Sequence, residues 1–165
     1  MATKTNKIIL GLDPGLASTG FGVVKEDSDG NLEMLDYGVI RTPAGLPFGD
    51  RVNTVNKDLT QIIKKYKPQV AGVEKLFFCA NVKTALDVGQ VRGVIILTLI
   101  QNNIPFYEFT PLQVKQTVAN YGKADKKQIQ QMVKLLLNLK KAPSPDDAAD
   151  ALAIAICASR AMGYS

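Results

Sequence analysis

The alternation of apolar and polar positions divides the chain into short strands and longer helices. Five apolar segments of strand length are bounded by turn residues, at 7–13, 19–26, 32–42, 70–74 and 105–109. Five longer segments have helical periodicity, at 46–66, 81–101, 111–121, 125–139 and 145–162. The stretch VIILTLI at 94–100 would also fit a strand, but the length of the surrounding pattern favours a helix.

The order of these elements predicts an α/β fold. The first three strands follow one another, the first hairpin turn being Asp29-Gly30-Asn31, which favours an antiparallel meander. Helices and strands then alternate, and this pattern adds parallel strands. We expect a five-stranded mixed sheet with helices on both faces, in one domain over residues 1–165, with residues 1–6 as a polar, disordered extension.

Composition is that of an ordinary globular protein. Of 165 residues, 46% are hydrophobic and 21% are charged, and no uninterrupted apolar run approaches the ~18 residues of a membrane span. The first residues lack the apolar core of a signal peptide. Cys79 and Cys157 are expected to be free thiols in a reducing compartment. We therefore expect a cytoplasmic protein.

The sequence contains no histidine, which excludes several chemistries. Catalysis by Ser-His-Asp or Cys-His groups is impossible, and so is a histidine-ligated zinc site. Two cysteines alone cannot form a structural zinc site. If the protein is an enzyme, carboxylates and a hard metal ion are the groups available to it.

Positive charge is concentrated in one segment. The net charge is +5, yet residues 110–141 hold seven lysines against one aspartate, a local charge of +6. A basic segment on an otherwise balanced protein indicates a polyanionic partner. A solvated lysine-rich face is the alternative that charge alone leaves open.

Two predicted strands end in an acid. Asp13 and Glu74 each lie two residues after a glycine, on the same face of the strand and at its carboxyl end. Ligands of open α/β sheets bind beyond the carboxyl ends of strands. The glycines leave room for close packing, for which the alanine-rich last helix is a candidate.

That last helix begins with three aspartates. Asp147 and Asp150 are three residues apart and Asp146 and Asp150 are four apart, so either pair shares a face. Capping by Ser144, Pro145 in the first turn and the helix dipole explain Asp146 and Asp147 without any function, but they explain Asp150 poorly. An all-oxygen cluster with Asp13 and Glu74 favours Mg²⁺ or Mn²⁺. Two ions about 3.5–4 Å apart are the usual arrangement for displacement at phosphorus.

Five blocks of the sequence, in order, resemble the RuvC family of bacterial Holliday-junction resolvases. They are ILGLDPG at 9–15, GVEKLFF at 72–78, GQVRG at 89–93, QVKQTV at 113–118 and DDAADALAIAI at 146–156. The resemblance implies a ribonuclease-H-like fold, a homodimer, and Mg²⁺-dependent nicking of two opposed strands of a four-way DNA junction, leaving 5′-phosphate ends. It also implies work with the RuvAB branch-migration complex.

Site residues follow from the same resemblance, position by position. It implies Asp13, Glu74, Asp147 and Asp150 as catalytic metal ligands for two Mg²⁺ ions, with Mn²⁺ as a substitute, and leaves Asp146 as an extra acid. Phe77 matches an aromatic that stacks on unpaired bases near the junction centre. Lys115 and Lys126 match residues that contact phosphate near the scissile bond. The apolar half of the 81–101 helix is the expected dimer contact.

Two other functions remain open from the sequence. The stretch GLDPGLASTG at 11–20 is also similar to the phosphate-binding turn of actin-like ATPases, although these need two such lobes and 165 residues supply one. The other alternative is a non-catalytic junction-binding protein with the same core.

Overall fold

The structure, a computed structural model, describes residues 5–75 and 81–163. Its strands are β1 (Lys7–Asp13), β2 (Ser18–Glu26), β3 (Leu32–Arg41), β4 (Val70–Glu74) and β5 (Phe106–Phe109). Its helices are α1 (Phe48–Tyr66), α2 (Val82–Gln101), α3 (Pro111–Ala119), α4 (Lys126–Leu136) and α5 (Asp146–Met162).

The strands form one mixed sheet in the order β3-β2-β1-β4-β5. Strands β1, β2 and β3 pair antiparallel, whereas β4 is parallel to both β1 and β5. The predicted fold class is therefore confirmed. Because β1 and β4 run side by side in the same direction, the residues at their carboxyl ends lie at the same edge of the sheet.

Each face of the sheet carries its own core. Alternate side chains of β1 point to opposite faces, so Leu10 and Leu12 pack with α1 and α2, while Ile9 packs with α5. Helices α3 and α4 complete the layer on the α5 side, through residues such as Val114 and Val133. The predicted helices on both faces are present.

Glycines in three neighbouring strands seat α5 against the sheet. A methyl group at Gly11 would overlap the carbonyl oxygen of Ala151 and lie 2.6 Å from the nitrogen of Ala155. Gly20 faces the backbone of α5 in the same way, and a methyl group at Gly72 would lie 2.9 Å from a methyl carbon of Ile154. The expectation that the alanine-rich helix packs against strand glycines is confirmed.

Some predicted boundaries were wrong by one to three residues. The prediction that Ser144 caps α5 was wrong, because the carbonyl of Pro145 accepts the first helical bonds, 3.1 Å from the nitrogens of Ala148 and Ala149. Helix α4 ends at Leu136 rather than 139, and Asn138 has a left-handed conformation with φ 51°. Residues 94–100 are helical, as their length indicated.

Helix α2 has one buried and one exposed apolar face. Val91, Ile95 and Leu99 are buried against the sheet and α1. The opposite face exposes Val82, Leu86, Leu97 and Ile100. Among the described residues, α2 is the one helix long and apolar enough to cross a membrane by length and composition, and a single such helix is weak evidence for a span.

Candidate active site

Two neighbouring strands deliver an acid to one edge of the sheet. Asp13 ends β1 and Glu74 ends β4, and the two strands are paired in parallel as far as Leu12 and Val73. Asp13 is 8% exposed, and its side chain shares a hydrogen bond with Glu74. The two carboxyl groups therefore meet where the parallel strands β1 and β4 end.

Helix α5 brings two further acids to the same point. Asp147 and Asp150 lie three residues apart in its first two turns, and both are half-buried. The backbone of Asp147 rests directly on Gly20, which pairs with Asp13 in the sheet. Carboxylate oxygens of Asp13, Asp147 and Asp150 all lie within 4.8 Å of one another. The close seat of the helix on the sheet therefore determines the geometry of this acidic cluster.

Burial and like charge raise the pKa values in the cluster. The pKa of Asp13 lies far above its ordinary value, first because burial removes water and then because Glu74, Asp150 and Asp147 surround it. Burial raises the pKa of Asp150 to about 6, against the opposing effect of the Lys126 charge. The carboxylates are therefore held together at an electrostatic cost that a bound cation would remove.

The donor set fits a hard divalent cation. Carboxylate oxygens are the ligands that Mg²⁺ and Mn²⁺ prefer. Opposite ligands of one octahedral Mg²⁺ ion are about 4.2 Å apart, since each lies about 2.1 Å from it. Oxygens within 4.8 Å of one another thus need only small side-chain movements to share an ion. Glu74 adjoins this trio through its hydrogen bond to Asp13.

Two lysines line a cavity beside the acids. The cavity has a volume of about 250 Å³, and Glu74 and Asp150 both line it. Lys115 of α3 and Lys126 of α4 line the same cavity, together with apolar residues of α3, α4 and α5. The structure thus places both predicted phosphate-contacting lysines next to two of the predicted catalytic acids.

Asp146 has different surroundings from its neighbours. Its carboxylate is exposed and accepts hydrogen bonds from Lys126 Nζ at 3.1 Å and from Gln130 Nε2 at 2.9 Å. The bond from Lys126 lowers the pKa of Asp146. The sequence explained Asp146 by its favourable interaction with the helix dipole, but it did not predict this ion pair, which joins α5 to α4.

Arg92 is a second residue that sequence reasoning left without a role. Its Nε donates to the backbone oxygen of Glu74 at 3.2 Å, and its guanidinium also pairs with the Glu108 carboxylate. Its position in the sequence could have indicated a role, because Arg92 is the one charged residue between Asp87 and Glu108. The predicted base-stacking residue, Phe77, lies outside the described residues, as do Phe78 and Cys79.

Comparison with known proteins gives one consistent family. The model of the family "Crossover junction endodeoxyribonuclease RuvC" matches residues 9–158. A RuvC of Alkaliphilus oremlandii is 53% identical over 150 residues, 91% of each chain. A RuvC of Chloroflexus aggregans is 55% identical over 148 residues, 90% of each chain.

Solved structures of this family share the fold. The RuvC structure of Thermus thermophilus superposes with a TM-score of 0.87 at 34% identity, covering 94% of this chain and 96% of that one. The same protein in complex with a Holliday junction substrate gives a TM-score of 0.89 at 32% identity, covering 95% and 96%. The family match spans all four acids and both lysines. The chain belongs to the RuvC family of crossover junction endodeoxyribonucleases.

Proposed function

We propose that this protein resolves four-way DNA junctions by cutting two opposed strands in a reaction that depends on a divalent cation. The observation that carries the proposal is the meeting of Asp13, Asp147 and Asp150 within 4.8 Å, beside a cavity that Asp150 lines together with Lys115 and Lys126. This arrangement supplies ligands for a cation and positive charge for a phosphate in one place. It fits the relatives, which are named for endonuclease action on crossover junctions.

Mg²⁺ is the proposed cofactor, in two sites per protomer, with Mn²⁺ as a substitute. It would be held by Asp13, Glu74, Asp147 and Asp150, since Asp13 lies within 4.8 Å of both other aspartates and shares a hydrogen bond with Glu74. A bound divalent cation supplies Lewis-acid activation of water and stabilises the leaving 3′ oxygen.

The residues around the cluster hold the substrate. Lys115 and Lys126 would contact the scissile phosphodiester in the cavity that they line with Glu74 and Asp150, which gives affinity without base readout. The apolar lining of that cavity excludes water from the flank of the phosphate. Phe77 follows Glu74 by three residues and is proposed to stack on an unpaired base at the junction centre.

A homodimer is proposed through the exposed face of α2. The pairing stripe consists of Val82, Leu86, Gly93, Leu97 and Ile100. At about 100° per residue these positions fall within roughly 60° of one another around the helix axis. A methyl group at Gly93 would meet no atom within 4 Å, so a partner helix can approach closely there. Two protomers would present two sites to the two strands of a junction.

The remaining assignments rest on the family. We propose that the chain forms one domain, that it works with the RuvAB branch-migration complex, and that it acts in the cytoplasm, where junction DNA arises in bacteria. The single sheet with both faces covered supports the first of these.

A cleavage assay tests the central proposal. The protein is incubated with a mobile four-way junction and, separately, with a linear duplex of the same sequence, in Mg²⁺ and then in EDTA. We expect paired nicks with ligatable ends in the junction in Mg²⁺ and none in EDTA. Asp13→Asn and Glu74→Gln serve as controls, since each removes a ligand and no phosphate contact, and both should still bind the junction.

The same assay separates the alternatives. Tight junction binding by the unaltered protein without cleavage in any divalent cation would identify a non-catalytic binding protein. ATP hydrolysis in the absence of DNA would indicate an actin-like ATPase. Cleavage by Asp13→Asn within about tenfold of the unaltered protein, a difference of only ~1.4 kcal/mol in barrier, would refute the assignment of that acid.

A further inference from the structure

Arg92 connects the long helix α2 to the strand that ends in Glu74. It is largely buried, with 18% of its side chain exposed, and it is the one charged residue in the apolar part of the helix. A charge in this position carries a desolvation cost unless it is paired and hydrogen-bonded. The contacts of Arg92 therefore indicate where its charge is used.

The guanidinium group joins two neighbouring strands at their carboxyl ends. Its Nε donates to the backbone oxygen of Glu74, the last residue of β4, at 3.2 Å. Another of its nitrogens donates to the carboxylate of Glu108 on β5, and the side chain of Glu108 is 35% exposed. The planar fork of an arginine suits such a two-point contact, whereas the single ammonium of a lysine does not.

This contact lies where β4 is paired on one side only, because its pairing with β1 ends at Val73. The ladder between β4 and β5 reaches Glu74 and Phe109, and one more bond, from the Lys75 nitrogen to the Phe109 oxygen at 2.7 Å, follows it. Asp13, Asp147 and Asp150 are held by the close seat of α5 on the sheet. Glu74 is held instead by the last rungs of the β4–β5 ladder, by the Arg92 bond to its backbone oxygen, and by Asp13 at its side chain.

We propose that Arg92, itself held by Glu108, is a positioning residue that fixes the backbone at Glu74 and thereby aims this carboxylate at the acidic cluster. Arg92 contacts no substrate in this scheme and acts through Glu74. The inference rests on the proposed function for the role of Glu74, while its geometry is independent of that function. It predicts that loss of the Arg92 contact weakens cation binding and cleavage, but not junction binding.

The test compares Arg92→Met, Arg92→Lys and Glu108→Gln with the matched control Lys25→Met. Lys25 of β2 pairs with Glu33 of β3 at 3.7 Å, at the end of the sheet opposite the acids. Lys25→Met therefore also removes a basic side chain that pairs with a glutamate, but far from the acidic cluster. Each variant is measured for Mn²⁺ binding without DNA, for junction binding in EDTA, for cleavage in Mg²⁺, and for its melting temperature.

Arg92→Met should cleave at least tenfold more slowly and bind Mn²⁺ several-fold more weakly, with junction binding in EDTA unchanged within about twofold. The cleavage rate and Mn²⁺ affinity of Arg92→Lys should lie between those of Arg92→Met and the unaltered protein, because one ammonium group reaches one of the two partners. Glu108→Gln should show a smaller loss, and the double variant with Arg92→Met should be no worse than Arg92→Met alone, since the two residues act as one unit.

Mn²⁺ binding and cleavage by Arg92→Met equal to those of Lys25→Met would overturn the proposal. If Arg92→Met does not fold, Arg92→Lys and Glu108→Gln decide the question, and normal Mn²⁺ binding by both would overturn it. A failure of the unaltered protein and of Lys25→Met to cut junctions refutes the proposed function instead. In that case Mn²⁺ binding still reports on the role of Arg92.

Discussion

Neighbouring aspartates at the start of α5 differ in everything except their chemistry. Asp147 belongs to the acidic cluster, whereas Asp146 is exposed and paired with Lys126. Successive residues lie about 100° apart around a helix, so the two side chains cannot both enter one tight site. Their surroundings predict opposite consequences for the same substitution.

We predict that Asp147→Asn lowers junction cleavage at least ~100-fold, or ~2.7 kcal/mol in barrier. Asp146→Asn should retain cleavage within a few-fold, because it removes an exposed ion pair and no cluster oxygen. Single-turnover rates in Mg²⁺ measure both, and each variant is the control for the other. The reverse result, an inactive Asp146→Asn with an active Asp147→Asn, would mean that the helix presents its neighbouring face to the site.

The raised pKa of Asp150 predicts a pH dependence of the cation-free protein. Its folded-state pKa of about 6 exceeds the ordinary 3.8, so the folded state binds a proton more tightly than the unfolded state does. Proton binding by Asp150 therefore adds to the free energy of unfolding. This contribution is at its maximum below pH 3.8 and is lost as the pH rises through about 6. In EDTA, the melting temperature should therefore rise when the pH is lowered from 7.5 to 5.5, and Asp150→Asn should reduce this rise. An equal rise in melting temperature in Asp150→Asn and in the unaltered protein would show that Asp150 is not the group that titrates.

Lys115 provides a test of the phosphate contact. Lys115→Ala should weaken junction binding and lower the slope of log affinity against log salt by roughly one ion. Lys57→Ala is the control, since Lys57 is exposed on α1, on the other face of the sheet. Binding titrations between low and moderate salt measure both slopes. Equal slopes for the unaltered protein and Lys115→Ala would mean that Lys115 lies on a solvated face only.

Sequence patterns located the acids but not the side chains that surround them. Strand ends and helix spacing place Asp13, Glu74 and Asp150 without any knowledge of tertiary structure, because those periodicities are local. Which of Asp146 and Asp147 faces the cluster depends on the rotation of α5 on the sheet, and spacing left it open. The Lys126–Asp146 and Arg92–Glu108 pairs join different elements, and their distances depend on packing angles that no local pattern encodes.

At the scale of elements, the contact between α5 and the glycines of the sheet determines the site. It is a backbone-to-backbone contact at Gly11 and Gly20, and backbone atoms cannot move aside as a flexible side chain can. The glycine pattern in the strands was visible in the sequence, and so was the small-residue face of the helix. The packing of α5 on the strand glycines was therefore predictable from the sequence. The first residue of α5 was not, because it depends on the hydrogen bonds that the carbonyl of Pro145 accepts.

We predict that Gly11→Ala destabilises the protein by ~1–3 kcal/mol and also impairs cleavage, since α5 must move away from the sheet with two of the acids on it. Gly49→Ala is the control, because a methyl group there meets no atom within 4 Å and alanine favours the helix. Urea unfolding gives both free energies. A Gly11→Ala variant as stable as Gly49→Ala would show that the seat is looser than these distances imply.

At the scale of the whole molecule, the exposed stripe of α2 predicts the oligomeric state. Leu97→Glu places a charge within the proposed pairing stripe and should convert the dimer to a monomer of 17.9 kDa. Leu135→Glu is the control, because Leu135 is also highly exposed but lies on α4. Sedimentation equilibrium at micromolar concentration distinguishes the two. A monomeric unaltered protein that still makes paired cuts would exclude pairing through α2.

The wide spacing of the acids along the chain has a consequence for the timing of activity during protein synthesis. Asp13 and Glu74 are translated early, but Asp147 and Asp150 belong to the last helix, and the cluster does not exist until that helix has docked on β1 and β2. A partly translated chain therefore lacks a complete cutting centre, whatever DNA or cation it meets. An enzyme that cuts DNA is thus kept inactive until α5 has been synthesised and has docked on the sheet, because this helix completes the acidic cluster.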